Sequence, residues 1–178
     1  QILPTRTAAV QDFIDFEDST GTSGEVDLIV DVPPDQTPLI EDTAGFTLNS
    51  ISPLNANVLD IIGMNPPMDN KDVRQAMSLA IDRETIVNEL LLGNGLWPSG
   101  IQSIFDPLYV ERPQLAYDPE RAKSLLAESG YAGEEIQFVF DSPDYYPLEQ
   151  AWSEAIAAMW REVGLNVTMV PLDVAQRV

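Results

Sequence analysis

The stretch that decides the fold spans residues 69–93 and reads DNKDVRQAMSLAIDRETIVNELLLG. Its first half repeats apolar residues at the spacing that lines one side of an α-helix, namely Val73, Ala76, Met77, Ala80 and Ile81. Either Asp69 or Asn70 can cap the first turn, because a side-chain oxygen there accepts hydrogen bonds from free N–H groups. Asp82 offers a second cap, and Gly93 suits the left-handed position that closes a helix. The stretch predicts two helices in tandem, or one bent helix, packed against a core.

Outward from this stretch, predicted strands and helices alternate along the chain. β-branched or alternating runs predict strands at residues 26–30, 46–51, 58–64, 136–140 and 165–170. Apolar periodicity and capping residues predict further helices at residues 7–16, 35–43, 118–130 and 152–163, and the proline-rich residues 96–114 predict a long loop. This order predicts a single α/β domain over residues 1–178, with a mixed sheet of about five strands flanked by helices. The predicted centre of its core contains Val73, Met77, Ile81, Leu125, Ile156 and Met159.

Composition excludes several classes of function. The 178 residues include 29 acidic and 9 basic side chains, for a formal net charge of -20, which repels nucleic acid and anionic membrane surfaces. The absence of cysteine excludes disulfides and thiol nucleophiles, and the absence of histidine removes the Ser-His-Asp triad and most transition-metal sites. We therefore expect no catalytic residue, no bound metal, no cofactor and no nucleic-acid partner. A lysine-poor, aspartate-rich composition is also typical of proteins from high-salt organisms.

Added salt is expected to raise the thermal stability of the chain. With a formal net charge of -20 on 178 residues, self-repulsion opposes the compact state. Raising salt from about 0.01 M to about 1 M shortens the Debye length from about 30 Å to about 3 Å, which screens that repulsion. Melts followed by circular dichroism over this range should show a rising Tm. A flat or falling Tm would contradict the prediction and the high-salt origin with it.

Paired carboxylates raise the alternative of an acidic glycan-directed hydrolase, since glycosidases work with two carboxyl groups. The sequence offers two close pairs, Asp141 with Asp144 and Glu134 with Glu135. In a chain with 29 carboxylates, such pairs also arise without a catalytic purpose. The acidic run at residues 12–18 does not complete a calcium loop, because the glycine and the closing glutamate of such a loop are missing. The hydrolase, or an acidic interaction module, stays open as a second class of function.

Four segments match a known family in the same order: SGEVDLIVDVPP (23–34), DVRQAMSLAIDRETIV (72–87), YDPERAKSLLAESGY (117–131) and EQAWSEAIAAMWREVGLNVTMV (149–170). Together they resemble the extracytoplasmic solute-binding proteins of the peptide/nickel ABC-importer family, family 5. The resemblance implies one lobe of a type II periplasmic-binding-protein-like fold, an excerpt of the C-terminal ligand-binding lobe of a longer, two-lobed receptor. It also implies a receptor that captures a peptide or other small solute outside the membrane and delivers it to ABC permease subunits. Such a receptor is expected to be a monomer, periplasmic or held at the cell surface as a lipoprotein, with its signal outside this excerpt.

The loop at residues 141–147 is the leading candidate for ligand contact. It joins the carboxyl end of a predicted strand to the start of a predicted helix, where α/β sheets usually bind ligands. Tyr145 and Tyr146 add aromatic surface with a polar tip, although an ordinary helix cap with an aromatic contact also explains them. The candidate ligand-binding residues are Tyr145, Tyr146, Asp141, Trp97 in the long loop, and Asn65 beside the preceding apolar strand. The expected solute is an oligopeptide, dipeptide, sugar or cation complex, and the loop, which has two aspartates and no Arg or Lys, offers no partner to a free peptide carboxylate.

Overall fold

The structure, a computed structural model, describes residues 32–50, 58–97, 100, 102, 104–113, 116–141 and 148–173. The chain divides into two compact units, a smaller one of Gln1–Ile51 with Tyr146–Leu148 and a larger one of Ser52–Tyr145 with Glu149–Val178. The helix predicted at residues 7–16 and the strand predicted at 26–30 lie outside the described residues. The single domain predicted over residues 1–178 stays a prediction.

The smaller unit contains a short helix where the sequence predicts one. Pro34–Gln36 forms one turn of 3-10 helix, and the chain continues into α1, Thr37–Glu41. Proline suits the first turn of a helix because it has no N–H group to satisfy there. The Thr37 hydroxyl donates to the carbonyl of Pro34 at 2.9 Å and supports the same turn. The helix predicted at residues 35–43 is confirmed, with an earlier end.

The first helix of the larger unit is α2, Lys71–Leu79. The Asn70 side chain accepts a hydrogen bond from the N–H of Asp72 at 2.9 Å, so Asn70 rather than Asp69 is the capping residue. Asn70 also donates to the carbonyl of Ser129 at 3.1 Å, which ties the start of α2 to a later part of the chain. The predicted apolar stripe is confirmed, since all of its members are buried: Val73, Ala76, Met77, Ala80 and Ile81.

A second helical segment follows α2, as the capping pattern predicts. Helix α3, Arg83–Thr85, begins at Asp82, whose carboxylate accepts bonds from the N–H and the hydroxyl of Thr85 at 3.0 and 2.8 Å. The chain continues as one turn of π-helix, Ile86–Leu90, and Gly93 adopts a left-handed φ of 77°. The two tandem helices predicted for residues 69–93 are therefore confirmed.

Helix α4, Pro119–Ser129, also matches its sequence signals at both ends. Asp118 accepts a hydrogen bond from the N–H of Arg121 at 2.9 Å, and Gly130 closes the helix with a left-handed φ of 77°. The helix packs against α2 through the side that carries Ala122, Leu125 and Leu126. Between α3 and α4, the described part of residues 96–114 forms no helix and no strand, in agreement with the predicted loop.

The last part of the larger unit is a strand, a helix and a strand. Strand β1 is Ile136–Asp141, helix α5 is Glu149–Glu162 and strand β2 is Val167–Leu172. The two strands are parallel, in register from Ile136 opposite Val167 to Asp141 opposite Leu172. Parallel strands need a crossover connection, which α5 provides. The α/β class predicted from the sequence is confirmed, and both predicted strands lie within two residues of the observed ones.

The described residues contain one two-stranded sheet, with fewer strands than the sequence predicts. The strands predicted at residues 46–51 and 58–64 are wrong over their described parts, which form no strand. A strand forms only when a neighbour pairs its N–H and C=O groups, and apolar character alone does not supply that neighbour. Ile62 and Met64 are accordingly exposed to solvent.

The core of the larger unit brings α2, α4, α5 and the sheet together. Five of the six predicted core residues are buried and the sixth packs against them half-buried: Val73, Met77, Ile81, Leu125, Ile156 and, half-buried, Met159. The Nε1–H group of Trp160 donates to the carbonyl of Met77 at 2.9 Å, and its ring meets that of Phe138 edge-on, with centroids 5.0 Å apart. Trp160 thereby joins α5 to α2 and to β1. Within the described part of the chain, none of the helices has the length and apolar character needed to span a membrane.

Candidate functional site

The candidate site lies where β1 and β2 end. Because the strands are parallel, their carboxyl ends meet at one edge of the sheet, at Asp141 and Leu172. Asp173 follows β2 directly, and Glu149 begins α5 beside the end of β1. We call these four residues the carboxyl-end edge. In open α/β sheets, ligands bind in the crevice outside this kind of edge, so the architecture places a candidate site there.

Two acidic residues of the carboxyl-end edge are buried against each other. Asp141 is 2% exposed and Glu149 is 6% exposed. The main-chain N–H of Asp141 donates to Oε1 of Glu149 at 3.2 Å, inside the protein. A buried carboxylate is costly unless hydrogen bonds compensate for the water it loses, and a backbone N–H is one such partner. This contact fixes the end of β1 to the first residue of α5.

The buried side of α5 carries a second polar residue, Ser153, one turn after Glu149. Glu149, Ser153, Ala157 and Trp160 follow one another at helical spacing, and all four are buried. The Ser153 hydroxyl oxygen has no hydrogen-bond partner among the described residues. The sequence pattern predicts this helix over residues 152–163 and does not identify Glu149 or Ser153 as buried. The signal that could have found them is their four-residue spacing ahead of Ala157, which puts two polar residues in an apolar stripe.

Basic side chains with described contacts lie away from this edge. Arg161 donates twice to the carbonyl of Val167, at 3.1 and 2.8 Å, which is the opposite, amino end of β2. Arg83 donates to the carbonyl of Ser78 at 3.1 Å, and burial lowers the pKa of its guanidinium from the ordinary value. Hydrogen bonding and charge from Glu120 raise the pKa of Lys123. The described residues of the carboxyl-end edge include three acidic side chains, Asp141, Glu149 and Asp173.

The five sequence-predicted site residues fall in different surroundings. Asp141 lies at the carboxyl-end edge, beside Glu149. Trp97 is 38% exposed and follows the π-helical turn, while Asn65 is exposed in a turn before α2, where its carbonyl accepts the N–H of Asp69 at 3.0 Å. Tyr145 and Tyr146 lie outside the described residues. The three described candidates therefore lie in a turn, a loop and a strand. Contact of any of the five residues with a ligand stays a prediction.

The carboxylates considered for glycosidase chemistry have local partners. Oε2 of Glu134 accepts from the N–H of Ala132 at 2.9 Å, and Glu135 accepts from the Thr168 hydroxyl across the strand pair. These contacts are those of exposed groups that support a turn and a strand pair. Asp144 of the other pair lies outside the described residues. Among the residues that the structure describes, no three acidic side chains are grouped to hold a metal ion.

A family model matches most of the chain. The family described as bacterial extracellular solute-binding proteins, family 5, middle, matches residues 18–178. The chain belongs to this family. The family resemblance predicted from four sequence segments is therefore confirmed, and the family's extracellular character confirms the predicted extracytoplasmic location.

One relative and two solved structures show how much of a family member this chain represents. A probable peptide ABC transporter periplasmic-binding protein of Sinorhizobium fredii is 29% identical over 159 residues, which cover 85% of this chain and 29% of that protein. A dipeptide-binding protein of a Pseudoalteromonas species, solved with Met-Leu, is 24% identical with a TM-score of 0.83, over 99% of this chain and 34% of that one. NikA of Brucella suis, solved with Fe(III)-EDTA, is 20% identical with a TM-score of 0.82, over 99% and 37%. These structures confirm the predicted type II periplasmic-binding-protein-like fold, and the chain spans about a third of their length.

Proposed function

We propose that this chain is part of the solute-binding component of an ABC importer, a receptor that captures a small solute outside the membrane and delivers it to permease subunits. The family match over residues 18–178 carries the proposal. The relative from Sinorhizobium fredii is named as a peptide ABC transporter periplasmic-binding protein, which supports the importer and a peptide as its cargo. We also propose that the chain is an excerpt of the C-terminal ligand-binding lobe of a longer, two-lobed receptor. Its coverage of about a third of the proteins it matches supports an excerpt of a longer chain.

The chemistry of the carboxyl-end edge favours a solute that does not depend on anion recognition. Asp141, Glu149 and Asp173 lie at this edge, and Arg161 is bound at the opposite end of β2. Fixed carboxylates repel a free peptide carboxylate and attract an ammonium group or a cationic complex. The proposed solutes are therefore a peptide held through its backbone or amino group, a cationic complex, or a sugar stacked on an aromatic ring.

Contact with the solute is proposed for Tyr145 and Tyr146, with Trp97, Asn65 and Asp141 as the other candidates. An aromatic ring supplies apolar area while its polar tip remains able to form a hydrogen bond, a combination that small-molecule sites use repeatedly. Trp97 is exposed and Asn65 is exposed, so both can be reached from solvent. Asp141 is buried in this structure, so its part would be to shape the edge and its charge.

The receptor is proposed to bind its solute without chemical conversion and to work as a monomer. Members of the matched family are solute-binding proteins, and the two carboxylates Glu134 and Glu135 are engaged in local contacts. These observations favour binding over the hydrolase alternative. In a two-lobed receptor each lobe supplies part of the contact surface and closure around a hinge completes the site. We also propose that the receptor delivers its solute to permease subunits and that it is periplasmic or held at the cell surface as a lipoprotein.

Replacing the two tyrosines tests the proposed contact. In the full-length receptor, Tyr145→Ala and Tyr146→Ala should each weaken solute binding about tenfold, the expected loss of one aromatic contact. Calorimetric titration with a panel of peptides, sugars and cationic complexes measures this change. Tyr117→Ala removes an exposed tyrosine ahead of α4 and is the matched control, with unchanged affinity expected. Unchanged affinity in both test variants would assign the two tyrosines a structural role.

A further inference from the structure

We infer that Glu149 is a positioning residue, which holds the carboxyl end of β1 at a fixed place beside the start of α5. Its Oε1 atom accepts the N–H of Asp141, the last residue of β1, at 3.2 Å. The two residues are eight positions apart in the chain and both are buried. The bond therefore joins the last residue of β1 directly to the first residue of α5.

The position of Glu149 on its helix supports this role. It occupies the first residue of α5 and the first place of a buried stripe that continues through Ser153, Ala157 and Trp160. An apolar residue would satisfy packing at such a place without the loss of hydration that a carboxyl group suffers. Packing alone thus does not account for a glutamate there. The hydrogen bond to the strand end supplies one reason for it, because an N–H group buried there requires an acceptor.

A fixed strand end matters because the carboxyl-end edge is the candidate site. A binding site gains affinity when its backbone is held in the bound geometry before the ligand arrives. Glu149 acts through the main chain of Asp141 and not by touching the solute. The importance of this role for binding rests on the proposed function. The contact between Glu149 and Asp141 can be tested without any ligand.

Hydrogen exchange of single amides in the full-length receptor, without solute, tests the inference. Glu149→Leu places an apolar side chain in the stripe and removes the acceptor, so the Asp141 amide should exchange about tenfold faster or more. The Phe138 amide at the centre of β1 should lose much less protection than the Asp141 amide, and Tm should fall modestly because the buried Asp141 N–H is left without its acceptor. Glu149→Gln retains an acceptor oxygen and should restore slow exchange at Asp141.

Glu154→Leu, on the exposed side of the same helix, is the matched control and should leave the Asp141 amide unchanged. The inference is overturned if Glu149→Leu leaves the Asp141 amide protected. It is also overturned if all amides of β1 exchange faster by the same factor, since that result describes a loss of global stability. Should Glu149→Leu not fold, fast exchange at Asp141 in folded Glu149→Gln contradicts the inference, and slow exchange supports it. None of these outcomes depends on solute binding, so they test the role of Glu149 independently of the proposed function.

Discussion

Met77→Asp is expected to destabilise the larger unit by about 3 kcal/mol or more, because it puts an unpaired charge into the core. Met77 is 4% exposed and lies on the buried side of α2, among the residues that meet α4, α5 and the sheet. A carboxylate at this place has no basic partner among its described neighbours in the core, which are apolar. Denaturant unfolding followed by circular dichroism measures the loss.

Leu108→Asp is the matched control for this substitution. Leu108 is 78% exposed, so the same change of side chain transfers no charge into the protein interior. Its stability should stay within about 0.5 kcal/mol of the unsubstituted chain, the usual range for surface changes. Equal stability of Met77→Asp and the unsubstituted chain would contradict the core assignment of α2.

Substitution of Trp160 should give the second large effect, and its two variants separate packing from hydrogen bonding. Trp160→Ala removes a buried ring that contacts Phe138 and should cost about 3–5 kcal/mol. Trp160→Phe keeps an aromatic ring but removes the Nε1–H group that donates to the carbonyl of Met77. The buried carbonyl then loses its partner, which should cost about 1–3 kcal/mol.

Trp152→Phe is the control for Trp160→Phe, because Trp152 lies on the same helix but is only half-buried. It should cost less than Trp160→Phe in denaturant unfolding. A Trp160→Phe variant as stable as the unsubstituted chain would show that the bond to Met77 contributes nothing. Equal losses in the two Phe variants would show that ring size, and not the N–H group, sets the cost.

Helices were predictable from the sequence because their signals are local. Asn70 and Asp82 cap helices that begin within one residue of them, and Gly130 adopts the left-handed conformation expected of a closing glycine. The spacing of Met77 and Ile81 likewise identified buried positions correctly. These features depend on residues three or four positions apart, so they can be recognised in a single sequence.

Strands were less predictable because their stability depends on partners far away in the chain. Residues 136–140 pair with β2 and form a strand, whereas the equally apolar residues 58–64 form none. A strand is stabilised when a neighbouring strand pairs its main-chain N–H and C=O groups. Local composition does not carry that information.

The candidate site was predictable in its place but not in its chemistry. The end of β1 and the start of α5 follow from the strand and helix signals, and ligand binding at such edges is a general property of α/β sheets. Glu149 and Ser153 were missed because polar residues at a helix start are usually solvated, and only tertiary packing buries them. Ligand contact by Tyr145 and Tyr146 remains a prediction, because both lie outside the described residues.

Calorimetric titration of the full-length receptor and of residues 1–178, side by side, tests the central claim most directly. Both proteins would be titrated with the same panel of peptides, sugars and cationic complexes, and each solute would be analysed for chemical change afterwards. We predict that the full-length receptor binds one class of solute with micromolar or tighter affinity and returns it unchanged, while residues 1–178 bind it far more weakly. Conversion of the solute to product by either protein, or micromolar binding by residues 1–178 alone, would contradict this account.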